Sequence, residues 1–229
     1  MKEVAAFFDV EGTIYTDNTW KALIRYHWKR NRRRGRALAY LAFHLAKWIL
    51  LHKTGLRQRE PATREWAVHM PWLVAGWSVE ETEDIFDWML DRYLIPSVHP
   101  EAAEAIRSHR SQGHHVILVS GAPQDLLQML AERLGASGAL GTGWEKVDGR
   151  YTGKVVPPVC MGEDKVVRIR ELLANDLSEV DMSASYAYGD TLADVPLLSL
   201  VGHPVATFPD AELASLARER GWEVLGTPV

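Results

Sequence analysis

The sequence has a single cysteine, Cys160, among 229 residues. An intramolecular disulfide and a zinc site built on paired cysteines are therefore excluded, and nothing near Cys160 marks it as a nucleophile. No G-x-G-x-x-G follows the first apparent strand, which removes the dinucleotide-binding class. None of the nine histidines stands in an H-E-x-x-H pattern or another metal-ligand spacing. The apolar-rich stretch from Ala37 to Leu51 is interrupted by His44 and Lys47 and is too short to span a bilayer. The opening "MKEVAAFFDV" enters an apparent strand at once, so a cytoplasmic protein without a signal peptide is the expectation. Acidic residues are missing from Asn18 to Arg59, where twelve basic ones occur, although the net charge of the chain is −4. Tryptophan is equally uneven, with seven of nine between Trp20 and Trp88.

Outside that region the chain alternates strand and helix signals. "VAAFFDV" and "HHVILVS" are short continuous apolar runs, as strands covered on both faces have. "HPEAAEAIRSHRSQG", "PQDLLQMLAERLG", "GEDKVVRIRELLAND" and "DAELASLARERG" carry helical periodicity, the second with proline in its first turn and glycine after its end. "ASGALGTG" predicts a short third strand, and the Asp-Gly of "WEKVDGRYTGKVV" predicts a hairpin. "SASYAYGD" and "HPVATF" are further strands. This alternation predicts an α/β fold on a doubly wound, Rossmann-like parallel sheet. Residues 16–95 break the rhythm and read as helices, with interruptions near Gly35, Thr54-Gly55, Pro61 and Gly76. The expected division is a core of residues 1–15 and 96–229 and a helical insertion of residues 16–95.

Ligands of open parallel sheets bind beyond the carboxyl ends of the strands. Three predicted strands end there in polar residues: "FFDVEGT", "VILVSGAP" and "YAYGDTLAD". They bring Asp9, Glu11, Ser120, Asp190 and Asp194 to one rim. Crowded carboxylates repel one another, and a hard cation such as Mg²⁺, which prefers oxygen ligands, relieves that repulsion. Ser120 and the N–H groups of "SGA" offer donors to a phosphate at a helix start, and Lys165 is placed to add a positive charge. Taken singly, each residue also fits an ordinary role: Asp9 or Asp190 as a helix cap, Ser120-Gly121 as a turn, Lys165 as a solvated side chain. Their joint order does not fit those roles.

In that order the residues resemble the haloacid dehalogenase superfamily of phosphohydrolases. "DVEGT" is similar to its nucleophile motif, "VILVSG" to its second, Lys165 in "GEDKVVRIREL" to its third, and "GDTLAD" to its fourth. A helical insertion directly after the first motif resembles the C1-type cap of the phosphoserine-phosphatase-like branch. The resemblance implies Asp9 as nucleophile, Glu11 as proton donor and acceptor, and Ser120, Gly121 and Lys165 as phosphate ligands. It implies Mg²⁺ held by Asp9, the Glu11 backbone carbonyl and Asp190, with Asp194 ordering the metal's surroundings or Lys165. Glu11 departs from the usual aspartate. The enolase-phosphatase branch resembles this chain in having D-x-E-G-T, so the departure is compatible with activity.

The insertion carries the clue to substrate. In "RYHWKRNRRRGRALAYLAFHLAKWILLHK" a basic cluster adjoins a Trp- and Leu-rich helix. Such a segment suits a membrane interface with anionic headgroups, and then a lipid or prenyl phosphate. It equally suits a buried helix with solvated arginines. One short basic cluster without a nucleic-acid module argues against DNA or RNA. A Mg²⁺-dependent phosphomonoester hydrolase is the expected activity. The alternatives are a phosphotransferase, and a pseudophosphatase whose insertion binds a membrane or a protein.

Overall fold

The computed structural model describes residues 3–53 and 59–228. A seven-stranded sheet of order β4-β3-β2-β1-β5-β6-β7 runs through its middle. Its strands are β1 (Ala5–Phe8), β2 (His115–Pro123), β3 (Gly138–Val147), β4 (Arg150–Val156), β5 (Tyr186–Gly189), β6 (His203–Thr207) and β7 (Glu223–Leu225). All pairings are parallel except β3 with β4. Four helices lie where the periodicity predicts, α5 (Pro100–Ser111), α6 (Gln124–Leu134), α7 (Glu163–Asn175) and α9 (Ala211–Arg220), and the single turn α8 (Val195–Leu198) adds a helix that no pattern signalled.

The apolar run of β1 is explained by its central position. Successive side chains of a strand point to opposite faces. Ala6 and Phe8 enter one hydrophobic cluster, with α5, α6 and the insertion, while Ala5 and Phe7 enter a second, with α7, α8 and α9. Both faces are therefore dry. Strand order reverses around β1, because β2 and β3 lie to one side and β5 to β7 to the other. That reversal opens the crevice in which such sheets bind ligands.

Between β1 and β2 lie the helices α1 (Thr19–Lys29), α2 (Arg34–Lys53), α3 (Arg59–His69) and α4 (Val79–Met89), followed by a π turn at Leu90–Leu94. The chain leaves and re-enters the sheet layer at one point, where Thr16 N–H donates to the Ser97 carbonyl and His99 N–H to that of Ile14. The insertion packs continuously with the sheet. Phe86, Met89 and Leu90 share one cluster with Phe8, Leu126 and Trp144, and Arg133 of α6 pairs with Asp87 and Asp91.

Some boundaries differ from the sequence expectation. The expected third strand and the first hairpin arm are one strand, β3, because none of Gly138, Gly141 and Gly143 takes the positive φ that would turn the chain. Asp148 and Gly149 at φ 50° and 72° make the hairpin turn. Gly35 lies inside α2, and the break precedes it at Asn31 and Arg33, both with positive φ. Pro61 sits in the first turn of α3, where a missing N–H costs nothing. Thr54-Gly55 lies outside the described residues. The short edge strand β7 carries too little pattern to be foreseen. No described helix is long and apolar enough to cross a membrane.

A buried polar network supports β5 from below. His109 Nε2 meets the Tyr188 hydroxyl at 2.8 Å, and its Nδ1 meets Nδ1 of His114 at 2.8 Å. Burial, and then the neighbouring His114, push His109 from 6.5 down to about 4. The unfolded chain thus takes up this proton before the folded one does, and stability is lost as pH falls through that window. His109→Gln should accordingly lose less of its thermal midpoint than wild type between pH 6.5 and pH 4. Equal losses in the two proteins would rule this role out.

Candidate active site

Asp9 follows the last residue of β1, and its N–H donates to the Tyr188 carbonyl across the sheet at 2.9 Å. Its carboxylate is thereby fixed at the strand end. Asp190 follows β5, the neighbouring strand, and Asp194 closes a 3₁₀ turn at Leu192–Asp194. Lys165 projects from the first turn of α7. Its ammonium donates to Asp9 Oδ1 at 2.5 Å and to Asp194 Oδ1 at 2.7 Å. All three side chains are buried, Lys165 with only 5% exposed.

One oxygen from each of Asp9, Asp190 and Asp194 lies within 4.8 Å of the others. Three carboxylates thus face one ammonium. Burial is the main cause that raises Asp9 to about 7, against the opposing pull of Lys165. Burial, followed by repulsion from Asp9 and Asp194, raises Asp190 to about 9. The cluster is electrically incomplete, and its all-oxygen donors match what Mg²⁺ accepts. The two aspartates of the fourth motif have separate duties. Asp194 Oδ2 accepts from the N–H of Asp190 and of Thr191, each at 3.3 Å, while its Oδ1 holds Lys165. Asp194 thus anchors both Lys165 and the loop of Asp190. Asp190 accepts one weak bond from Thr13 Oγ1 at 3.4 Å.

Gly12 answers to this cluster. Its φ is +92°, and a Cβ there would stand 2.0 Å from Asp190 Oδ2. Only glycine accepts both the left-handed backbone and the approach of that carboxylate. Ser120 is buried near the end of β2, and its hydroxyl accepts from the Ala122 N–H at 3.2 Å. Pairing between β2 and β3 shifts register between Val119 and Pro123, and the shift turns Ser120 and Gly121 out of the regular ladder.

Glu11 does not join the carboxylate cluster with its side chain. Its Oε1 accepts from the Thr19 N–H, the first residue of α1, at 2.7 Å. Asn18, in the N-cap position, makes no side-chain cap bond, so Glu11 satisfies that helix end instead. The extra methylene of glutamate carries the carboxylate toward the insertion.

A cleft of about 1230 Å³ opens above these groups. Its floor is Asp9, Ser120, Lys165 and Asp190, and its other wall brings in Trp20, Trp66 and Met70 from the insertion. Arg64 of α3 crosses the mouth to Asp164 at 2.5 Å. Sequence reasoning named none of these insertion residues. The crowding of tryptophans was a signal, and the spacing of Trp66 and Met70, one turn apart, was another. Neither indicates which face meets the cleft. Cys160 is fully buried, its thiol raised to about 11 by burial and directed at the Leu140 carbonyl, consistent with an inert thiol.

Strand-end charges gathered at the reversal of a parallel sheet, beneath a helical insertion, define an α/β protein with a ligand site at its strand ends. A family model described as haloacid dehalogenase-like hydrolase matches residues 6–199, and the chain belongs to this family of enzymes. A Mycobacterium tuberculosis protein named phosphoserine phosphatase SerB1 is 34% identical over 220 residues, 96% of this chain and 70% of its own length. A probable phosphatase of the same species is 33% identical over 221 residues, 96% of this chain and 74% of its own. A Bordetella pertussis crystal structure of unknown function superposes with a TM-score of 0.81 at 26% identity, covering 99% of both chains. A substrate-bound phosphoserine phosphatase superposes with a TM-score of 0.62 at 18% identity, over 98% of this chain and 93% of that one, a likeness of fold.

Proposed function

We propose that the chain is a Mg²⁺-dependent phosphomonoester hydrolase that works through an aspartyl phosphate on Asp9. The observation that carries this reading is the Lys165 ammonium bridging Asp9 and Asp194 at the floor of the cleft. A lysine so placed orients one oxygen of Asp9 and offers positive charge to an incoming phosphate. The phosphatase names of the relatives support the same reading.

In the first step an Asp9 oxygen attacks phosphorus, the bond from phosphorus to the ester oxygen breaks, and the leaving alcohol takes a proton from Glu11. In the second, water attacks the aspartyl phosphate, gives its proton to Glu11, and the bond from phosphorus to Asp9 breaks. Ser120 Oγ and the Gly121 N–H hold phosphate oxygens. Asp9, Asp190 and the Glu11 backbone carbonyl would hold Mg²⁺, with Asp194 ordering Lys165 and the loop of Asp190. When bound, Mg²⁺ supplies charge neutralisation for the phosphate and the attacking carboxylate. Most of the acceleration rests on this positioning and on fixed charge.

The wall of Trp20, Trp66 and Met70 favours a monoester whose alcohol portion has an apolar surface, such as a lipid or prenyl phosphate, over a small hydrophilic one. The test is phosphate release from an aryl phosphate and from a panel that runs from phosphoserine to prenyl phosphates, with and without EDTA and added Mg²⁺. Release that is abolished by EDTA and restored by Mg²⁺ is the expected result. EDTA-insensitive release would sink the metal assignment, and equal rates for hydrophilic and apolar esters would sink the substrate preference. An acceptor alcohol in the assay separates hydrolysis from phosphotransfer by its product.

Glu11 gives a separate prediction. Glu11→Asp draws the carboxylate back by roughly 1.5 Å, about one bond length. Misplacement on that scale costs on the order of a hundredfold in kcat. The variant also loses the bond to Thr19 N–H, which costs about 1 kcal/mol at a helix end. Steady-state kinetics and thermal unfolding read the two effects. An unchanged kcat would remove Glu11 from the proton-transfer role.

A further inference from the structure

The helix α2 is inverted relative to an ordinary surface helix. Its inner side is Ala37, Tyr40 and His44, all buried. Tyr40 donates its hydroxyl to the Trp66 carbonyl at 2.8 Å, and the His44 ring stacks on that of Trp66 at 4.1 Å. The opposite side should be polar. It is instead Leu38, Ala42, Leu45, Ala46 and Ile49, spaced i, i+4, i+7, i+8 and i+11, so that all fall on one face. Leu38 is 52% exposed, Leu45 57% and Ile49 41%, and Ala42 and Ala46 are also exposed. An apolar stripe of this kind marks a surface that another phase or molecule covers.

Charge indicates which. Arg34 begins the same face one turn before Leu38, and its guanidinium lies over the half-exposed ring of Trp28. Lys29, Arg30, Arg32 and Arg33 are exposed beside it. Arg33, Arg34 and Arg36 donate to the backbone carbonyls of Ala75, Trp28 and Trp72, bonds that fix them in place and leave their charge uncancelled. Among the described residues, Glu81 at 3.8 Å from Arg32 is the one carboxylate within ion-pair distance of the cluster Lys29–Arg36. Apolar side chains, a tryptophan and fixed cations in succession along one face suit a layer with an anionic surface and an apolar interior. A second copy of the chain would bring the same cations against themselves.

We propose that the outer face of α2, with the basic turn before it, binds the surface of an anionic membrane, the helix lying in the plane of the headgroups. The inference stands apart from the proposed hydrolysis, because its readout is binding.

The test is co-sedimentation with vesicles of phosphatidylcholine alone and of phosphatidylcholine mixed with phosphatidylglycerol, at low and high salt. Wild type is expected to bind the mixed vesicles, to bind phosphatidylcholine weakly, and to be released by salt. The triple variant Lys29→Gln, Arg30→Gln and Arg32→Gln should lose on the order of a hundredfold in partition. Leu38→Gln, Leu45→Gln and Ile49→Gln together should lose binding at least as strongly, while hydrolysis of a soluble aryl phosphate continues unchanged. Absence of wild-type binding to the mixed vesicles overturns the proposal without reference to any variant. So does binding that the three glutamines leave intact. Concentration-dependent self-association of wild type, abolished by the same three glutamines and unaccompanied by vesicle binding, would assign the face to a second copy instead.

Discussion

Asp9→Asn is expected to reduce phosphate release by on the order of 10⁵-fold, the scale on which removal of a covalent nucleophile is felt. Asparagine has the shape of aspartate but neither its charge nor its nucleophilicity. The strand end keeps its place, because the bond from the residue 9 N–H to the Tyr188 carbonyl is a backbone bond. Lys165 keeps Asp194 as an ionic partner. The variant should therefore fold, and its thermal midpoint should stay near that of wild type. Single-turnover reactions with labelled phosphate, quenched in acid, add a direct reading. Wild type should carry label on the protein, and the variant should not. A variant that turns over within tenfold of wild type, or a wild type that never carries label, would exclude Asp9 as the nucleophile.

Lys165→Met should be the most destabilising single change in the site. Methionine is close to lysine in length, so the loss is of charge rather than of volume. Removing one member of a buried ion pair costs about 3–5 kcal/mol, because the partner is left desolvated and unpaired. Here two partners are left, Asp9 and Asp194. Turnover should fall on the order of 10³-fold, as on loss of a fixed transition-state charge. Lys165→Arg should not restore it, because a planar guanidinium cannot occupy the point between two carboxylates that an ammonium fills.

The stability loss should depend on pH. Asp9 and Asp190 already sit at about 7 and about 9 in the wild-type site. Carboxyl groups so raised hold protons in the folded state that the unfolded chain releases above about pH 4. Stability therefore declines as pH rises toward those values. Without Lys165 the decline should be steeper, and the deficit of the variant should be larger at pH 8 than at pH 5. Added Mg²⁺ should recover part of it. Denaturant unfolding at the two pH values, with and without Mg²⁺, measures this. A deficit independent of pH would mean that Lys165 acts through packing rather than charge.

Much of the candidate site was legible in the sequence because it depends on strand ends. A buried parallel strand shows as a run such as "VAAFF", and the residue just beyond it is at the ligand-binding edge by topology alone. Asp9, Ser120 and Asp190 could be found that way. Lys165 was legible as a lysine at a helix start in the right part of the chain, and its resemblance to a known motif singled it out from other lysines so placed. Glu11 was legible as a departure, but its direction was not. That the carboxylate caps α1 at Thr19 depends on where the insertion sits, and no local pattern encodes it. The wall of the cleft was not legible either. Trp20, Trp66 and Met70 come from separate helices, and the face each presents is decided by packing against the sheet and hairpin.

The sequence by itself determined the alternation of strands and helices, the helical character of the segment after β1 and the order of the candidate site residues along the chain. These follow from period-two and period-3.6 patterning and from turn residues, all local in origin. Only the tertiary structure decided that Lys165 spans Asp9 and Asp194, that Asp190 leaves room for no residue but Gly12, and that one side of α2 is buried on Trp66 while its other apolar side faces out. Each of these is a contact between segments far apart in the chain. Burial raises the energy of an unpaired charge and lowers that of a methyl group, and what lies opposite either one is fixed only when the chain has folded.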